Sequence, residues 1–132
     1  MPKTLPLTAI AFVAGALTMG TSEAAVTQDD FLLRTTGELV NLCSADRSDP
    51  LMTAAVNFCH GFAVGVYRVL AEEQAAQPGA KLFCIPNPMP TRNETISAFV
   101  EWAKANPSHL SQPAADGIAD FLGQRFPCRK AR

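Results

Sequence analysis

Apolar side chains recur three and four positions apart in several stretches of the chain, and the longest of these sets the plan. Between Asp49 and Gln77 the sequence reads DPLMTAAVNFCHGFAVGVYRVLAEEQAAQ. Leu51, Ala55, Phe58, Phe62, Val66 and Val69 keep helical spacing, and Met52, Val56, Cys59, Ala63 and Leu70 fill the adjoining rows. Thr53, Asn57, His60, Arg68 and Glu72 are the narrow polar strip that remains. The spacing predicts one long helix, with Asp49 as N-cap, Pro50 at the first helical position, where its missing N–H costs nothing, and Pro78-Gly79 as the stop. A helix this apolar on more than one side is expected at the centre of the domain, touched by several neighbours. At 1.5 Å per residue it would run roughly 40 Å, whereas a domain of this size has a radius of gyration of about 13 Å. It must therefore bend, at Gly61 or Gly65, or project one end toward a partner.

The remaining stretches are shorter. Thr27 to Arg34 is an amphipathic lead-in, either a short helix or an extended arm. Thr35 and Glu38 form a capping box, and Leu39, Val40, Leu42 and Cys43 mark the apolar face of a first helix ending near Ala45. The short polar turn Asp46-Arg47-Ser48 makes this helix an antiparallel neighbour of the long one. In AKLFCIPNPMP, prolines at 86, 88 and 90 exclude helix and central strand, so an extended crossing is expected, with Leu82, Phe83 and Ile85 pinned to the core. Thr91 and Glu94 form a second capping box and open a third helix with Ile96, Phe99, Val100 and Trp102 inward, ending before Pro107. Pro113 begins a fourth helix with Ala114, Ala115, Ile118, Ala119 and Leu122 on its core face, and the chain closes on Phe126-Pro127-Cys128 and a basic tail. The pattern predicts an all-α fold of four to five helices in two antiparallel hairpins, with an extended Pro-rich crossing.

The N-terminus changes the picture of where this domain works. Lys3, the apolar run Leu5 to Met19 and the small-x-small Ser22-Glu23-Ala24 read as a secretory signal peptide over residues 1–24, too short and too rich in small residues for a comfortable membrane span. The mature chain, residues 25–132, is expected to be a single domain, exported and free of the membrane after cleavage. Setting aside Lys3 and Glu23 leaves ten basic and eleven acidic residues, with no basic stripe for nucleic acid and no polybasic segment for anionic lipid. A neutral surface of this kind suits proteins or small molecules.

Cys43, Cys59, Cys84 and Cys128 all lie in the mature part. An even count behind a signal peptide reads as disulfides, and the spacings, with His60 and His109, fit no zinc motif. Two antiparallel hairpins bring together Cys43 with Cys59 and Cys84 with Cys128 without crossing. The pairings 43–84 with 59–128 and 43–128 with 59–84 stay open. Neighbouring Cys59 and His60 do not read as nucleophile and base, because adjacent helical residues point about 100° apart and a paired cysteine is no nucleophile. Asn57, His60 and Arg68 share a strip that could form a polar cluster, although a solvated strip is the plainer reading. Gly61 and Gly65 form a G-x-x-x-G that permits close helix packing, within the fold or across a homodimer. No phosphate loop, triad or carboxylate pair stands out, so no enzyme activity and no cofactor or metal are expected; the function is to bind something.

Four segments in order, T-G-E-L-V-N-L-C (Thr36 to Cys43), F-C-H-G-F-A-V-G-V (Phe58 to Val66), F-C-I-P (Phe83 to Pro86) and the Pro113 to Cys128 stretch from P-A-A-D-G-I-A-D-F-L to F-P-C, resemble the Tai family. These are the type VI amidase immunity proteins, which also include the resistance-associated immunity proteins called Rap. The resemblance covers nearly all of the mature chain. It implies a periplasmic, helical, homodimeric protein that binds a cognate peptidoglycan amidase delivered by type VI secretion and blocks its active-site cleft. The segments expected to face such a partner, chosen from exposure, are the end of the long helix with its loop and the Pro-rich crossing, represented by Glu72, Glu73, Gln77, Lys81, Asn87 and Arg92. The alternative reading is a periplasmic stress or acid chaperone, or another helical protein-binding module, whose apolar surface would open as its carboxylates protonate.

Overall fold

Both capping boxes form as predicted, and they set where the helices start. Thr35 accepts a hydrogen bond from the Glu38 N–H while the Glu38 carboxylate accepts from the Thr35 N–H, and Thr91 and Glu94 repeat the arrangement. In the computed structural model, which describes residues 25–79 and 81–129, they open α1 (Thr36–Cys43) and α3 (Arg92–Ala105). The long helix is α2 (Met52–Ala76) and the last is α4 (Ala114–Arg125), with 3-10 turns at Gln28–Leu32 and Pro107–His109. No strand occurs among the described residues, and the chain is all-α as expected. The predicted signal peptide, residues 1–24, lies outside the described residues.

The lead-in resolves as a 3-10 turn rather than an extended arm. It is held by buried Asp30, whose carboxylate accepts from the Thr27 N–H at 2.7 Å, the Thr27 hydroxyl at 2.9 Å and the Asn41 amide of α1 at 3.0 Å. Burial alone would raise this carboxyl, but these hydrogen bonds outweigh it and hold it below the usual carboxylate range. Leu33 ends the turn in the left-handed region, φ 48°, where the chain reverses into α1. The N-terminus of α1 docks on the turn before α4: the Thr36 and Gly37 N–H groups donate to the carbonyls of Gln112 and Leu110, at 2.8 and 2.9 Å.

The start of α2 differs from expectation. Asp49 and Pro50 occupy a turn ahead of the helix, Leu51 stands at the N-cap position, and the helix begins at Met52. The Asp49 carboxylate is engaged elsewhere, accepting from the N–H groups of Leu51 and Val26, both at 2.8 Å, and so ties the segment before the 3-10 turn to this corner. The stop holds, with Gln77 as C-cap and Gly79 at φ 156°.

A larger correction concerns which helix is central. Only Ala55 and Cys59 of α2 are buried, and Phe58 and Val69, expected in the core, are exposed. The core is assembled instead from Leu39, Val40 and Leu42 of α1, Ile96, Phe99 and Val100 of α3, Ile118, Phe121 and Leu122 of α4, and Phe83 of the crossing. Helix α2 touches α1, α3 and α4, as expected of it, but through half-buried side chains such as Phe62, Val66, Tyr67 and Leu70 rather than buried ones. On α4, buried Gly117 and Phe121 take the place that Ala115 and Ala119 were expected to hold; Ala115 is exposed and Ala119 half-buried, because positions 114, 117, 118, 121 and 122 are the ones that share a face. Leu82 is likewise exposed rather than pinned, while Phe83 is buried and Ile85 half-buried.

Two disulfides staple the hairpins in the expected pairing, Cys43–Cys59 and Cys84–Cys128, with Cα separations of 5.2 and 4.9 Å. Closing loops of 16 and 44 residues restricts the unfolded chain by about 3 and about 4 kcal/mol in the chain-entropy model. Beside the second staple, the Cys84 N–H donates to the Phe126 carbonyl at 2.7 Å, fastening the crossing to the end of α4.

Candidate functional site

The Cys59-His60 pair is structural. Cys59 is buried in its disulfide, and half-buried His60 makes no hydrogen bond or ion pair with Asn57 or Arg68, so the strip forms no polar cluster. A polar cluster does form elsewhere. His109 Nδ1 lies 3.2 Å from Gln112 Oε1 and 3.3 Å from the Asp120 carboxylate, its ring packs 4.7 Å from that of Trp102, and the Trp102 indole N–H donates to Gln124 at 2.9 Å. This ties the 3-10 turn before α4 to α4 and α3. Residues this far apart in sequence, in three separate elements, carry no common spacing that would have announced them.

The outer face of α2 is the unusual surface. Ala54, Phe58, Gly61, Gly65 and Val69 follow one another along it, all exposed, with Phe58 at 44 % and Val69 at 55 %. A Cβ added at Gly61 or Gly65 would meet nothing within 4 Å, so the G-x-x-x-G serves no packing inside the fold. By length and composition α2 could cross a membrane, with mean hydropathy 1.3, yet Cys59 is bonded to α1 and the helix rests on the domain. The domain covers this face only at Phe58, whose ring meets that of Phe31 edge-on at 5.5 Å, and an apolar face this long is the kind of surface that partners cover.

The predicted partner-facing residues fall at two places. Glu72, Glu73 and Gln77 are exposed at the C-terminal end of α2, and Lys81 is exposed in the loop that follows. Gln74, which the sequence reading passed over, organises this end: its amide donates to the Phe83 carbonyl at 3.1 Å, and its side-chain oxygen accepts from the N–H groups of Leu82 and Phe83. Asn87, before a cis peptide bond to Pro88, and Arg92, the first residue of α3, are exposed on the crossing.

Between α2, the crossing, α3 and α4 lies an apolar cavity of about 280 Å³. Its floor is Phe99, Ile118, Phe121 and Leu122, all buried, and its wall includes Ala63 and Tyr67 of α2 and Ile85. Arg68, Met89 and Arg92, all exposed, stand at its mouth. Nothing in the apolar spacing marked it, because it is bounded by four separate elements.

In class this is an all-α domain stapled by two disulfides, with a largely exposed apolar face on α2. The family model described as Rap1a immunity proteins matches residues 35–128, the span from the first capping box to the last cysteine. The chain belongs to the Rap1a immunity proteins. No curated protein and no solved structure matches it.

Proposed function

We propose that this protein is a periplasmic immunity protein that binds and inhibits a peptidoglycan amidase delivered by type VI secretion. The observation that carries the reading is the family match over residues 35–128, which takes in all four helices and both disulfides. Disulfides suit an oxidising compartment, and the leader-like residues 1–24 supply a route to the periplasm, with cleavage after Ala24 leaving residues 25–132 as the mature chain. Immunity of this kind needs a rigid surface and no chemistry, so the protein acts by binding and not as an enzyme.

Within this reading the two exposed regions divide the work. The outer face of α2 meets a second copy, two α2 helices crossing antiparallel where Gly61 and Gly65 let their backbones approach, with Phe58 and Val69 closing the seam on either side. The C-terminal end of α2 and the Pro-rich crossing, carrying Glu72, Glu73, Gln77, Lys81, Asn87 and Arg92, face the amidase. The loop there is held by Gln74 and the crossing by Cys84–Cys128, which lowers the ordering cost of association.

The test is periplasmic co-expression with candidate type VI amidases. Rescue of growth against one of them, together with a stable complex of the purified pair, is the expected result. Failure to rescue against any, with correctly exported and oxidised protein present, counts against the reading.

A further inference from the structure

We propose that the cavity between α2, the crossing, α3 and α4 binds an anionic amphiphile with a single aliphatic chain. Three observations converge on this ligand. First, the cavity, about 280 Å³, penetrates to core side chains: Phe99, Ile118, Phe121 and Leu122 form its floor and are between 2 and 5 % exposed. That volume is at the small end for a ligand site and suits one chain rather than two. Second, its lining offers almost nothing to a polar guest. The Thr95 hydroxyl already donates to the Thr91 carbonyl at 2.9 Å, which leaves the Tyr67 hydroxyl as the one other side-chain polar group besides the arginines. A peptide backbone drawn inside would bury N–H and C=O groups without partners, whereas an aliphatic chain carries none.

Third, the mouth is cationic. Arg68 and Arg92 come from different elements, line the same cavity and are both exposed, and neither has an ion-pair partner among the described residues. Glu72, one helical turn beyond Arg68, forms no ion pair with it, and Glu94, near Arg92, is occupied by Thr91. Surface arginines are commonly solvated, but two unpaired guanidinium groups over one apolar cavity fit a chain-end carboxylate or phosphate, and each can take it bidentately. The headgroup stays in the water at the mouth while the chain fills the interior.

The measurement is titration calorimetry of the oxidised mature protein with dodecanoate, dodecyl phosphate and dodecanol, all below their aggregation limits. The expected result is saturable one-to-one binding, with both anions about tenfold tighter than the alcohol. Arg68→Gln combined with Arg92→Gln changes only exposed side chains, and it should erase the preference for the anions while leaving dodecanol binding in place. Ala63→Phe, which fills the cavity from α2, should abolish binding of all three. Several results would overturn the proposal: absence of saturable binding, an anion preference that survives loss of both arginines, or binding that survives the filled cavity. So would an Ala63→Phe variant that turns a dimer into a monomer, which would give the cavity to a second copy. Sedimentation with phosphatidylglycerol vesicles but no binding of the monomeric amphiphiles would give it to a membrane surface and would equally overturn it. None of these readouts depends on an amidase, so the outcome is separable from the immunity reading.

Discussion

Thr36 and Gly117 meet where α1 crosses α4, and the contact is closed to any larger residue. The Thr36 hydroxyl shares its proton between the carbonyls of Gln112 and Pro113, each at 3.3 Å, and a Cβ at position 117 would overlap that hydroxyl and its methyl group. Both residues are fully or nearly buried. Gly117→Ala should therefore destabilise the fold by about 1–3 kcal/mol, because overpacking and the disturbed hydrogen bond exceed the roughly 1 kcal/mol that alanine gains over glycine in a helix. Urea unfolding at neutral pH checks the sign: a variant more stable than the parent would contradict the contact.

Most local signals in this chain were readable, the Asp49-Pro50 start of α2 excepted, and most long-range ones were not, the disulfides excepted. The capping boxes at Thr35 and Thr91, the stop at Pro78-Gly79 and the proline-rich crossing each depend on residues within a few positions of one another, and each appears where expected. The disulfides followed from two antiparallel hairpins, a plan that needs only helix order. Helix α2 is less buried than its spacing predicts, because helical periodicity reports that a face is apolar, not what covers it. Val69 satisfies the same spacing as Leu39 and Leu42 and yet faces outward, and Phe58 is covered only in part, by Phe31. The cavity, the Gln74 tether and the Trp102–His109–Asp120 cluster join elements distant in sequence, so no spacing encodes them.

Acid should loosen the domain at its N-terminal corner. Burial raises the Asp30 carboxyl and hydrogen bonds from Thr27 and Asn41 more than reverse that; desolvation likewise raises Glu38, and hydrogen bonds from Arg34 and Thr35 with the Arg34 charge bring it below its ordinary value. Thr91 lowers Glu94 and Ser48 lowers Asp46 in the same way. A carboxyl with a depressed folded value contributes stability above its unfolded value, near pH 4, and that contribution is lost as pH falls through the folded value. Stability should stay level from pH 7 to about pH 5 and decline below about pH 4. Asp30→Asn should cost about 1–3 kcal/mol at pH 7 and flatten the acid decline. Urea titrations at pH 7, 5 and 3 make the comparison, and equal stability at all three would contradict it. Suppression of client aggregation at pH 2 is what the acid-chaperone reading requires and the immunity reading does not.

Gln74 holds the loop after α2 through three hydrogen bonds to the Leu82–Phe83 backbone. Gln74→Ala removes a partner from the half-buried end of this network, so a loss of about 1–2 kcal/mol is expected. The local effect should be larger than the global one. Amide exchange at Leu82 and Phe83 should accelerate, and protease should cut near 78–82, while exchange in α1 and α4 stays close to the parent. Unchanged exchange at residues 82 and 83 would show that the loop does not depend on the tether.

Gly61 and Gly65 allow the fold to be tested apart from the proposed dimer, because a Cβ at either position meets nothing within 4 Å. Gly61→Ala and Gly65→Ala should each stabilise an isolated chain by about 0.5–1 kcal/mol through helix propensity and reduced freedom of the unfolded state. That is the opposite sign to Gly117→Ala, on the same chemical change. A seam that relies on close approach of two α2 backbones has no room for branched side chains, so Gly61→Leu with Gly65→Leu should leave the monomer folded and its helical circular dichroism intact. The same pair should abolish association as measured by analytical ultracentrifugation. Phe58→Ser and Val69→Ser, which thin the apolar flanks without blocking the approach, should weaken association less than the leucine pair. A dimer that tolerates both leucines would move the proposed seam away from this face of α2.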